Sequence, residues 1–342
     1  MGNPGLLLPS IFHKQSASIF LAYQLQFHLA RESAISFDSR FQCLKALAPV
    51  QKTVMKLVVM SYSNVLTAQV FSAIHERHAI SAVINVEWEP APSRESRLAQ
   101  LCKHPVATLR QKLDQRVDKW QHQRQMEKIT DFFSGQQTSM PDVPTYTIGS
   151  GQLHTPASLD LISSLSPDIL LVTHAPLLKP VLYNLPSIAT LNIHWGIAPH
   201  YCGQHTFFWP LYHRDYTRLG ITIHRIDDGI DTDPIVAQGS PCIEPDDDEP
   251  MIWARCASVV SELACSVLDA AEAGDLLLGW RSAGAPRQFR RRDRSALHTL
   301  RYWARRKLLG ECLPKLAAKQ QLYLQPESAG IASLACNDPG QL

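Results

Sequence analysis

Two short runs, Leu57-Val-Val-Met60 and Ile169-Leu-Leu-Val172, are apolar at every position rather than at alternate ones. A strand with one face in water alternates apolar and polar residues. A strand covered on both faces does not, and such strands belong to parallel sheets enclosed by helices. Between the two runs the period changes. Asn64–Arg77 carries apolar residues at 65, 66, 70, 71 and 74, the spacing of one helical face. Ala79–Val86 reads as a second strand, 143–147 as a short one, Ala157–Leu165 as a helix, Leu177–Leu182 as a short helical turn and Ala189–His194 as a further strand. The alternation predicts an α/β fold, a mostly parallel Rossmann-like sheet with helices on both faces.

Residues 98–134 are polar, with Arg110, Lys112, Arg116, Lys119 and Arg124, and predict a solvated helical insertion broken by Pro105. Leu219–Ile226 and Ile235–Gln238 are expected as flanking strands. Asp246-Asp-Asp-Glu-Pro250 is open to reading as a cation site or as a helix cap. The cap is preferred, because Pro250 suits the first helical turn and carboxylates oppose the helix dipole.

The two ends differ from the middle. Residues 1–54 form an N-terminal extension, with three readings open: an upstream-extended start, an organelle transit segment or an accessory segment. Met55, just ahead of the first core-like strand, is a natural start, so the extension is expected to be dispensable. Residues 55–280 are expected to form the main domain and 281–342 a basic C-terminal segment. In that segment Arg287, Arg290, Arg291, Arg292, Arg294, Arg301, Arg305, Arg306 and Lys307 stand against Asp293. It reads as a solvated helix face or tail, with an anion-binding surface as the alternative.

Composition excludes several classes. Among 342 residues, 45% are hydrophobic and 19% charged, as in a globular protein with a full core. A formal net charge of +2 argues against a nucleic-acid binder driven by overall charge. Eight cysteines without a C-x-x-C pair suggest neither a zinc site nor a stapled secreted scaffold, so a reducing, cytoplasmic location is expected. The longest apolar runs read as too short for a membrane span, and no membrane partner is expected.

Chemistry concentrates at the end of one strand. Asn192 and His194 are two residues apart, on the same side of a strand, and at its carboxyl end, where ligands bind in such sheets. Asp231 follows in a turn with Gly229. An amide, an imidazole and a carboxylate are the parts that stabilise an oxyanion and move a proton in acyl transfer. A lone histidine is more often structural, and a lone aspartate often caps a turn; together the three favour catalysis. His200, His205, His213, His224 and Cys202 crowd the same stretch, but their spacing matches no zinc motif, so no metal is expected. Gly203 offers backbone freedom near a substrate. With Gln204 and His205 in the aromatic-rich stretch Tyr201–Tyr212, it is expected to shape a compact substrate pocket. The turn after the first strand, Ser61-Tyr-Ser-Asn-Val65, lacks the glycine-rich dinucleotide fingerprint, which disfavours a nicotinamide enzyme.

The pattern N-x-H, a proline five residues after the histidine, a glycine four further on, then G-x-T-x-H and D-x-G-x-D-T, resembles the folate-dependent formyltransferase family. The resemblance covers roughly residues 55–275 and is most specific over 189–236. It implies 10-formyltetrahydrofolate as co-substrate, Asn192, His194 and Asp231 as catalytic residues, and folate along Pro176, Leu177 and Leu178. It also implies a pterin ring against the Ile226–Asp231 loop, including Asp227, Asp228 and Gly229. The chain departs from the family with Asp233, where glycine is usual, and in lacking the glycine-rich phosphate loop of glycinamide ribonucleotide members. It is expected to formylate the amine of a small metabolite, such as an amino sugar or an amino-acid derivative. Residues from Arg281 onward lack the evenly spaced strands of the barrel with which methionyl-tRNA formyltransferases grip tRNA. Alternatives are a water-using deformylase, a methionyl-tRNA formyltransferase and a non-catalytic folate-binding homologue.

Overall fold

The apolar runs become the centre of an eight-stranded sheet. A computed structural model of the protein describes residues 54–88, 105–136, 139–226, 234–275, 277–281 and 286–324. The N-terminal extension, the Asp227–Asp233 stretch and the last residues lie outside them. In chain order the elements that position the site are β1 (Leu57–Ser61), α1 (Val65–His75), β2 (Ile80–Glu87), α2 (Pro105–Phe132), β3 (Thr145–Gly149), α3 (Pro156–Ser164), β4 (Ile169–Thr173), α4 (Pro180–Tyr183) and β5 (Ala189–His194). There follow β6 (Cys202–Gly203), α5 (Phe208–His213), β7 (Ile221–Arg225), β8 (Ile235–Ser240), α6 (Glu249–Ala273), β9 (Gln288–Phe289), α7 (Ala296–Leu308) and β10 (Lys319–Leu322).

The sheet order is β10-β8-β7-β5-β4-β1-β2-β3. Pairings from β3 to β5 are parallel and those from β5 through β7 and β8 to β10 antiparallel. The expected mostly parallel sheet with helices is the observed one. Alternate side chains of each central strand reach opposite faces, as a pleat of period two requires. Leu57, Val59 and Leu171 share a core with Leu66, Val70, Phe71 and Ile74 of α1 and with the apolar face of α6. Val58, Met60, Leu170 and Val172 pack with Ile162 of α3 and Leu182 of α4.

Helix α6 is capped as the acidic run implied. Asp248 is its N-cap, its carboxylate accepting from the Met251 N–H at 3.4 Å, with Pro250 in the first turn. By length and composition α6 is apolar enough to cross a membrane, longer than any run singled out from the sequence. Its fourteen buried residues, from Ile252 to Ala271, instead make it a core helix.

Two expectations are corrected. Pro105 opens the 28-residue helix α2, where a first-turn residue needs no N–H partner and proline presets a helical φ; the part of the expected insertion that precedes it lies outside the described residues. The helical stretch is not wholly solvated: Ile129 and Phe133 are buried in the core. The basic C-terminal segment is likewise no solvated tail over its described part. β9 pairs with β6, β10 closes the main sheet against β8, and Arg294 is only 5% exposed. Arg305 donates to the Tyr212 and Leu211 carbonyls at 2.8 and 3.1 Å, and Arg306 to those of Glu311 and Asp247 at 2.6 and 2.7 Å. Net charge alone does not reveal such internal acceptors.

Candidate active site

Asn192 and His194 stand at the carboxyl end of β5, between β4 and β7, and both line an open cleft of about 790 Å³. Asn192 lies opposite His224 on β7. Its Nδ2 donates to His224 Nε2 at 2.9 Å, one of the two N–H bonds that the amide can make. His194 is 8% exposed, and its Nε2 stands 2.8 Å from the Tyr201 carbonyl. A carbonyl only accepts, so Nε2 carries a proton. An imidazolium here would keep the Tyr201 bond and donate through Nδ1 as well.

Local sequence explains how that carbonyl comes so close. A Cβ on Gly196 would lie 2.7 Å from the Tyr201 oxygen and 2.8 Å from His194 Nε2, so glycine is required for the approach. The loop after β5 is pinned from β7 and β8. The Thr222 hydroxyl donates to the Gly196 carbonyl at 2.7 Å and accepts from the Ala198 N–H at 3.0 Å. Gln238 Nε2 donates to the Ala198 carbonyl at 2.7 Å. The Ala198–Pro199 peptide in this loop is cis. Further along, Gly203 adopts φ +85° and pairs with Phe289, where a Cβ would collide with the Phe289 carbonyl.

One wall of the cleft is aromatic. Trp195 stacks on Trp253 at 5.1 Å between centroids, His174 on Trp195 at 5.4 Å, and Tyr62 tilts against His174 at 5.3 Å. Trp195 Nε1 donates to Thr173 at 2.9 Å. Burial first, and then neighbouring His194, push the His174 imidazole down to about 4, so it is neutral at pH 7. Across the cleft, burial and then Arg294 and Arg291 push His205 down to about 3. His174 and His205 both have positive φ, 53° and 57°, a conformation uncommon outside glycine and frequent at functional sites. The turn after β1 is closed by a capping box, in which the Asn64 side chain accepts from the Thr67 N–H at 2.9 Å and Thr67 Oγ1 from the Asn64 N–H at 3.0 Å. That helix end is already satisfied by its own side chains.

The residues singled out from sequence fare unequally. Asn192, His194, Gly203, Gln204 and His205 line one cleft. Beyond β4 its lining is His174 and Ala175; Leu178 is buried in the core, Leu177 is 65% exposed, and Ile226 packs against the core shared with α3 and α4. Asp227, Asp228, Gly229, Asp231 and Asp233 lie outside the described residues. Sequence reading missed His224 as the partner of Asn192, although the G-x-T-x-H spacing places it two residues after the loop-pinning Thr222. It also missed Tyr62, His174 and Trp253, which come from three separate segments. Among the described residues, no cluster of three or more His, Cys, Asp or Glu has the geometry to hold a metal ion.

Comparison with known proteins bears on this arrangement. Residues 55–268 match the family model described as formyl transferase. Among curated proteins, the methionyl-tRNA formyltransferase of Myxococcus xanthus is 28% identical over 126 residues, covering 36% of this chain and 40% of its own. That of Geobacter sulfurreducens is 32% identical over 127 residues, covering 37% and 40%. The matched stretch thus spans less than half the length of these relatives. Among solved structures, a phosphoribosylglycinamide formyltransferase from Streptococcus pneumoniae aligns with a TM-score of 0.40 at 17% identity, over 64% of this chain and 98% of that one.

Proposed function

Because the chain belongs to the formyl transferase family, we propose that it transfers the formyl group of 10-formyltetrahydrofolate to the amine of a small metabolite. The observation that carries the reading is the pairing of Asn192 and His194 at the end of β5, both on the cleft. The attacking nitrogen adds to the formyl carbon, whose oxygen becomes an oxyanion. The second Asn192 N–H and protonated His194 Nδ1 donate to it, each such donor being worth about 100–1,000-fold in rate. Asp231 holds the imidazole in its charged form and relays the proton from the attacking amine. The tetrahedral adduct then collapses, breaking the bond from the formyl carbon to N10 of the folate, which takes a proton. The resemblance implies folate along the chain that follows β4, beside His174 and Ala175 of the cleft rather than on the buried Leu178 side chain, with its pterin toward Ile226–Asp231.

A small acceptor is preferred because Arg294, Arg305 and Arg306 spend their donors on internal oxygens and do not face an RNA backbone. The second reading, charged initiator tRNA, is favoured by the curated relatives. One assay series separates them. The protein is incubated with 10-formyltetrahydrofolate alone, with a pool of small amines, and with methionyl-tRNA at rising salt. Amine-dependent mass gain of one formyl group, insensitive to salt, is expected. Formate release without acceptor identifies a hydrolase, and tRNA formylation that falls steeply with salt identifies the second reading. Folate binding with no turnover would overturn both transferase readings.

A further inference from the structure

Within the same cleft, His205 is held by a device that the chemistry at His194 does not use. Arg294, 5% exposed, makes a two-pronged ion pair with Glu249 at the start of α6, with both distances 2.9 Å. Its guanidinium lies 3.7 Å over the Phe208 ring, and its Nε donates to Thr299 at 3.3 Å. So fixed, its Nη1 faces His205 Nδ1 at 3.4 Å. A guanidinium has donors and no acceptor, so His205 Nδ1 must accept. With the ring neutral beside two arginines, its one proton sits on Nε2. That N–H is buried, and among the described residues no acceptor lies within reach of it. Trp253 Nε1 is a second buried donor in the same state on the same cleft. A buried donor left without a partner is costly, so it marks a place for an oxygen that arrives from outside.

Resting on the formyl-transfer reading, we propose that His205 Nε2–H selects the acceptor by donating to one of its oxygens, a hydroxyl or a carboxylate, and that Arg294 is the positioning residue that sets this tautomer. An amine lacking the oxygen leaves the donor unpaired and is rejected for that reason. The αL backbone of His205 fits such a role, since sparsely populated conformations persist where the surroundings enforce them.

The test has two readouts. Ring-nitrogen NMR shifts of His205 at pH 7 report the tautomer: Nε2–H is expected in the native protein, and a mixed population in Arg294→Lys. Formyl transfer is then measured on matched amines, glucosamine against cyclohexylamine for the hydroxyl and β-alanine against propylamine for the carboxylate. The native enzyme is expected to prefer the oxygen-bearing member of one pair by about 10-fold or more in kcat/KM. The preference collapses in His205→Leu and returns in His205→Gln, which keeps an N–H near the same place. Circular dichroism checks that both variants fold. An Nδ1–H tautomer, an unchanged preference in His205→Leu, or no rescue by glutamine overturns the proposal while transfer itself stands. Absence of transfer to any amine, with the Nε2–H tautomer present, instead brings down the functional reading and this selection with it.

Discussion

The two halves of the central sheet are held by different physics. In the parallel half, Val58, Val59, Met60, Val83, Ile84, Leu170 and Leu171 are all 1% exposed or less, on both faces of β1, β2 and β4. Their stabilisation is non-directional burial, about 25 cal/mol per Å² of apolar surface. The antiparallel half also buries polar groups: Thr222, His224 and Gln238, beside half-buried Asn192. Thr222 and Gln238 form a hydrogen-bonded hub under the loop after β5, and His224 receives the Asn192 amide. Burial tolerates many apolar sequences of suitable size, whereas hydrogen bonds demand one arrangement. Both halves bury apolar residues, Ile221, Ile223 and Val236 in the antiparallel one included, but the antiparallel half adds the hydrogen-bonded groups that aim the loop after β5.

Five substitutions test that division. The largest effect is expected at Leu171→Ala in β4, a loss of about 2–5 kcal/mol from removed burial and the cavity left behind, read as a shift of the urea midpoint. Turnover per folded molecule should hardly change; a selective loss of turnover would break the contrast. Next come Asn192→Ala and His194→Ala, each expected to lower turnover at least about 100-fold, equivalent to about 2.7 kcal/mol on the barrier. Near-normal rates in both variants, with intact circular dichroism spectra, would remove them from the chemistry. Thr222→Val strips the hub while keeping its shape. It leaves the Ala198 N–H without its acceptor, at a cost of about 1–3 kcal/mol, and because the same loop carries the Tyr201 carbonyl, activity should fall together with stability. A loss of stability alone would show that the loop does not need its pin. The smallest effect is expected at Arg77→Ala. The Arg77–Asp269 pair, 2.6 Å apart with both side chains about half exposed, should contribute no more than about 0.5 kcal/mol in thermal unfolding.

The same division explains what could be read from the residues alone. Leu57-Val-Val-Met60 and Ile169-Leu-Leu-Val172 announce their strands because burial writes itself into composition, one residue at a time. Asn192 and His194 were legible as a pair because a single strand carries both at a spacing of two. Their partners were not. His224 meets Asn192 across a strand pairing, and Tyr201 meets His194 through a loop that needs glycine at 196. Arg294 looked like one charge in a basic run, because its answering carboxylate, Glu249, lies in another helix.

The closing strand of the sheet carries a consequence for biosynthesis. β8 receives β10 along its open edge, Ser240 opposite Lys319, with some 80 residues of chain between them. At a ribosomal pace of about 5–20 residues per second, that edge waits on the order of 4–16 seconds for its cover. Until then the stretch Ala237–Ser240, which pairs with Leu322–Lys319, has an open edge of N–H and carbonyl groups, the kind of template on which foreign strands assemble. The final cover is hydrophilic, Lys-Gln-Gln at 319–321, so once it docks, the outer rim discourages any further strand from adding. The nascent chain is thus most prone to aggregation in the interval before β10 emerges.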